Sequence, residues 1–110
     1  MEVIARAKNI RVSPRKLRLV VDTVRGKNVS DALVILKYLG TPAAGEVSKT
    51  VKAAAANAEN NFEMTTSDLK IVKIFADQAR TMKRIRAQSR GRAARVLRHS
   101  SHLTVVVEEV

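Results

Sequence analysis

The chain has 110 residues and no cysteine, which excludes disulfides, thiolate nucleophiles and cysteine metal sites, and its 45% hydrophobic content suits one domain with a modest core. Its net charge of +11 is uneven: residues 1–27 hold eight Lys/Arg against two acids, 28–77 five against six, and 78–110 eight against two, so a basic surface on a folded body is expected rather than a basic tail. No apolar run approaches the ~20 residues that span a bilayer, and the first residues lack the apolar stretch of a signal peptide, so the expected setting is the cytosol or an organelle interior.

Residues 2–12 alternate Val3, Ala5 and Ala7 against Ile4, Arg6 and Lys8, which predicts a strand. Ser13-Pro14 then supplies an N-cap and a proline at the first helical position, where its missing N–H is harmless. Leu17, Val20, Val21 and Val24 follow on one helical face, and Gly26 ends the helix. Ser30 is expected to cap a short second helix with Ala32, Leu33, Leu36 and Leu39 inward and Gly40 closing it. Thr41-Pro42 repeats the cap-plus-proline signal. Its helix carries the stripe Val47, Val51, Ala54, Ala55 and Ala58, in which the alanines permit close packing, and Asn57, Asn60 and Asn61 fray it into a loop through Ser67.

From Leu69 the period becomes two. Leu69, Ile71, Lys73 and Phe75 are expected on one strand face, with Val72, Ile74 and Ala76 on the other. Leu103, Val105 and Val107 alternate with Thr104, Val106 and Glu108 in a further strand. Between them Gly91 marks a turn, so the simplest topology is one long antiparallel hairpin, residues 70–87 out and 92–108 back. At ~3.3 Å per residue its arms reach about 50 Å. An isolated two-stranded ribbon is marginal in water, so the outer half is expected to protrude and to be ordered by its ligand.

That outer half reads RTMKRIRAQSRGRAARVLR, residues 80–98, without one acid. A solvated face is the bland explanation, and a membrane surface a lesser one. The absence of any acid, together with the second basic end, favours nucleic acid. Arginine dominates, and its planar fork pairs phosphates bidentately. The only aromatics are Tyr38, Phe62 and Phe75, and Phe75 is assigned to the core, so base stacking is not expected and recognition falls to backbone and shape. If about eight phosphates are neutralised, log K should fall with log[salt] at a slope of about −6 to −7. His99 and His102 lie on opposite strand faces with no further ligand nearby, so no metal is expected. Lys16 and Arg18 are read equally as solubilising charges or as RNA contacts.

SPRKLRLVVDTVRGK, AAAANAENN and MKRIRAQSRGRAARVLRHSSHLTVVV together resemble the large-subunit ribosomal protein twenty-two family in its compact bacterial or organellar form. The C-terminal motif is the most specific: a basic approach, Ser89, Gly91-Arg92, nine residues, then His102-Leu103 with Val105 and Val107. One departure is Gln88, where the family pattern is usually basic, which weakens one phosphate contact near the tip.

The resemblance implies an α+β fold, three helices packed on a small three-stranded antiparallel sheet with a long protruding β-hairpin. It implies one domain over residues 1–110, with a globular body at 1–79 and 99–110 and a basic arm at 80–98. It implies no catalysis, no cofactor, no membrane and no small-molecule substrate, and a cytoplasmic, ribosomal protein that is a monomer outside the ribosome. The partners it implies are large-subunit ribosomal RNA, contacted in several RNA domains from early assembly, neighbouring large-subunit proteins, and the nascent polypeptide in the exit tunnel. Arg80, Lys83, Arg84, Arg86, Arg90, Arg92, Arg95 and Arg98 are the expected RNA contacts on the arm, and Arg6, Lys8, Arg11, Arg15, Lys16 and Arg18 those on the body. Arg90, Gly91, Arg92 and Ala93 form the expected tunnel-facing tip. The rivals are a basic architectural DNA-binding protein, which would need a dimer face or recognition helix, and an RNA-processing enzyme, which the scattered carboxylates do not support.

Overall fold

Ser13 and Thr41 open their helices as the local sequence dictates. The computed structural model describes residues 2–65, 68–79, 82–87 and 93–109, with 82–87 and 93–98 described by backbone course and pairing. The elements are β1 (Glu2–Ile10), α1 (Pro14–Val24), α2 (Val29–Leu39), α3 (Pro42–Phe62), β2 (Leu69–Gln78), β3 (Met82–Ala87), β4 (Ala93–Arg98) and β5 (Ser101–Glu109). The Ser13 hydroxyl accepts from the Lys16 N–H (3.4 Å) and that of Thr41 from the Ala44 N–H (3.1 Å). Leu17, Val20, Val21 and Val24 are all buried. Gly26 follows α1 at φ +77°, a left-handed backbone that glycine adopts without strain, and a Cβ there would meet nothing within 4 Å. The demand for glycine at this position is therefore conformational, not steric.

Two helix boundaries differ from the sequence expectation. α2 starts at Val29 with Asn28 as its cap, not Ser30. Val29 is fully buried, Asn28 bridges to Lys70 of β2, and the Ile71 N–H donates to the Lys27 carbonyl (3.0 Å), so tertiary contacts settle where this helix begins. α3 runs through Asn60 and Asn61 to Phe62. Glu63 then turns left-handed (φ 54°), the Met64 N–H returns to the Ala58 carbonyl (3.1 Å) and the Met64 side chain is buried, so the last turn is closed rather than frayed.

β1, β5 and β2 form an antiparallel sheet in that order, with β5 central. The helices pack on one face of it, giving the expected α+β architecture. Val47, Val51, Ala54 and Ala58 of α3 meet a sheet face built from Val3, Ala5, Ile71, Ile74, Ala76, Leu103, Val105 and Val107. Each fully buried Leu, Ile or Val contributes about 1.5–3 kcal/mol of transfer free energy.

Two β-bulges reset which residues face that core. In β1 the register shifts between Ala7 and Ile10, where Asn9 has φ 58°, and Ile10 turns inward to 6% exposure. In β2 the register shifts between Ile71 and Lys73, with Val72 as the extra residue. Ile71 and Ile74 therefore both face the core. Phe75, assigned to the core from alternation, is instead 42% exposed on the opposite face.

The single hairpin of the sequence reading is divided in two. β2 pairs with β5 inside the three-stranded sheet, and β3 pairs with β4 in a two-stranded sheet of its own. An Ala79 N–H to Ser100 carbonyl bond (2.9 Å) lies between the two ladders. Continuing the Gln78–Ser101 register would set Met82 opposite Leu97, but it pairs with Arg98, so the ladders are offset by one residue. The molecule is long, with extents of 61 × 26 × 17 Å. Its radius of gyration is 16.9 Å, against about 13 Å for a compact chain of this size.

Candidate nucleic-acid interface

The β3–β4 register places the arm's cations in a specific order. Lys83 stands opposite Leu97, Arg84 opposite Val96, Arg86 opposite Ala94, Arg95 opposite Ile85 and Arg98 opposite Met82. Every cation of the ladder faces an uncharged residue. Like charges directly opposed across a ladder destabilise it, so this register carries a dense positive charge on paired backbone without a head-on clash. Ala93 opens β4 opposite Ala87. Arg80, Gln88 and three of the four residues of the expected tip, Arg90, Gly91 and Arg92, lie outside the described residues.

The six body cations are all exposed but fall into separate settings. Arg6 stands on the sheet face that carries no helix, and Lys8 is exposed within the β1 bulge. Arg11 and Lys16 border a groove of about 520 Å³ between the start of α1 and the start of α3, floored by Val12, Leu19, Val20, Pro42 and Ala43. Arg15 is exposed on α1. Arg18, an expected RNA contact, also has an internal role: its Nε donates to the Ala76 carbonyl of β2 (3.3 Å).

Arg25, not anticipated from sequence, acts in the same way. Its Nη2 donates to the Ile74 carbonyl (3.0 Å), while Nη1 pairs with Asp22 (2.7 Å) in an i,i+3 bridge exposed enough to contribute little. Arg18 lies in α1 and Arg25 caps its C-terminus seven residues later, and Ile74 and Ala76 are two apart along β2. Two guanidinium groups thus satisfy two carbonyls on the outer edge of β2, which would otherwise be open to pairing with another chain. The only sequence signal for this was the seven-residue spacing beside the apolar stripe.

His102 is half-buried, and its Nδ1 accepts the Asn9 N–H (3.2 Å), so it holds the β1 bulge. The Ser101 hydroxyl donates to the Val12 carbonyl (2.6 Å) nearby. Among the described residues no group of three His, Asp or Glu side chains stands together as a metal site, and no helix is long and apolar enough to cross a membrane.

Comparison with known proteins bears directly on this arrangement. The family described as ribosomal protein L22p/L17e matches residues 5–108. The chain is 54% identical over 109 residues to the large ribosomal subunit protein uL22 of Dehalococcoides mccartyi (strain CBDB1), covering 99% of this chain and 100% of that one. It is 50% identical over 109 residues to the uL22 protein of Clostridium novyi (strain NT), covering 99% and 98% respectively. For the uL22 protein of Desulforamulus reducens the identity is 51% over 109 residues, covering 99% and 96%.

Proposed function

We propose, on the premise that the chain belongs to the ribosomal protein L22p/L17e family, that its two basic surfaces bind large-subunit ribosomal RNA across several RNA domains. Membership of the family makes it a structural, non-enzymatic constituent of the large subunit in the cytoplasmic ribosome. Beyond that, the arm enters folded RNA, and its tip, Arg90, Gly91, Arg92 and Ala93, lines the polypeptide exit tunnel beside the nascent chain. The body's cations, with Arg11 and Lys16 at the groove, hold a second stretch of RNA, and joining RNA domains in this way supports early subunit assembly. Outside the ribosome the protein is a monomer.

The observation that carries this reading is the β3–β4 ladder, whose five cations each face an uncharged partner. Such a ladder suits a polyanion better than a protein core. Replacing the eight arm cations by glutamine should reduce affinity for large-subunit RNA by on the order of a thousandfold near physiological salt, and lower the magnitude of the salt slope by about 6 to 7, leaving that of the body cations alone. Retention of full affinity would overturn the proposal. In direct competition at matched salt, duplex DNA should lose to large-subunit RNA; the opposite result would favour an architectural DNA-binding role.

A further inference from the structure

The sheet has one face under the helices and one face bare. Successive rows cross the bare face: Glu2–Glu108–Lys70, Ile4–Val106–Lys73, Arg6–Thr104–Phe75 and then His102–Asp77. In the two middle rows there is no acid. Ile4 is 46% and Phe75 42% exposed, while the central Val106 and Thr104 are screened by their neighbours. A small apolar centre therefore lies open to solvent with cations beside it. Lys73 is two residues from Phe75 on the same strand, about 7 Å away, and Arg6 is two strands across in the same row, about 10 Å away.

The Val72 bulge creates this surface. Without the extra residue, strict alternation from Ile71 would bury Phe75 and turn Ile74 outward. The chain instead buries Ile74 and leaves its one strand-borne aromatic ring on a basic face. A single exposed aromatic is unremarkable in isolation. One ring with a lysine two residues along its strand and an arginine across its own row is a different object, although Asp77 flanks it on the other side along the strand: its apolar area matches a single base, and the two cations lie within reach of phosphates on the Lys73 and Arg6 sides, away from Asp77. The area is too small for an apolar helix of a partner protein, which would need several such side chains.

We infer that the bare sheet face docks one unpaired RNA nucleotide, its base stacked on Phe75 and its flanking phosphates held by Arg6 and Lys73. This rests on the RNA-binding reading above and adds a stacking contact to surfaces that otherwise act through charge. β2 runs on to β3 and β4 runs on to β5, so the sheet and the basic ladder are neighbours along the chain.

The test uses the full chain and large-subunit ribosomal RNA. Phe75→Leu keeps apolar volume and removes the ring; it should reduce affinity roughly tenfold and leave the salt slope unchanged, because no phosphate contact is removed. Arg6→Gln should weaken binding and also lower the slope by about 0.7 to 0.9. The chain has no tryptophan, so F75W carries a single indole, whose fluorescence should be quenched when RNA binds. Affinity of F75L within twofold of the parent, an indole unaffected by saturating RNA, or quenching produced only by other ribosomal proteins would overturn the inference. Failure of the unmodified chain to bind the RNA would overturn the RNA-binding reading itself, whereas equal binding by F75L defeats only the stacked nucleotide.

Discussion

The β1–β5–β2 sheet and the β3–β4 ribbon are both antiparallel and follow one another along the chain, yet among the described residues only the first has a layer of helices to bury a face against. The sheet joins its strands around Leu103, Val105 and Val107, each fully buried. The twelve ladder residues of the ribbon include five cations and no acid. A three-stranded sheet under helices is stable by its own packing, whereas a two-stranded ribbon is marginal in water. The lesson is a division of labour. Apolar burial is concentrated in one region and net positive charge in the other.

This division can be broken on a single scale, the unfolding free energy of the body measured by denaturant titration. Leu103→Ala removes a fully buried side chain from the central strand and should cost about 2–5 kcal/mol; a loss below 1 kcal/mol would mean the core is not where the stability lies. Thr41→Ala deletes the side chain that caps α3 and should cost about 1 kcal/mol. Arg25→Met removes the donor to the Ile74 carbonyl and should cost about 0.5–1.5 kcal/mol. It should also raise the tendency to associate through the exposed β2 edge, readable by light scattering. Arg84→Gln with Arg95→Gln should change body stability by less than about 0.5 kcal/mol while weakening RNA binding, and a large loss of body stability would erase the distinction between the two regions. Amide exchange sharpens the same contrast: in the free protein the ladder at 82–87 and 93–98 should exchange much faster than 103–107, and equal protection would show the ribbon to be stable without RNA.

The helix starts were legible because their signals are local. Ser13-Pro14 and Thr41-Pro42 each combine a side-chain acceptor with a residue that has no N–H to satisfy, and both hydroxyls form the expected bonds. The same local logic misplaced the start of α2, because Asn28 is held by β2 rather than by a cap. Of the candidate site, the charge pattern was legible and its assignment to positions only partly so. Arg18 looked like one more free cation, yet its Nε lies against the Ala76 carbonyl. Phe75 looked like core, and no composition or motif could have shown otherwise.

Residue order alone established the charge distribution, the helical stripes, the close-packing alanines of α3 and the reversal of direction in the C-terminal third. Each of these depends on neighbours a few positions apart. Tertiary structure decided strand register, the two bulges and hence which side chains of β1 and β2 face the helices. A bulge inserts one residue into a period of two, and whether it forms depends on the partner strand's fit across the ladder, which is not written in the bulged strand. One residue at Val72 was enough to move a phenylalanine from the interior to the surface where we place a nucleotide.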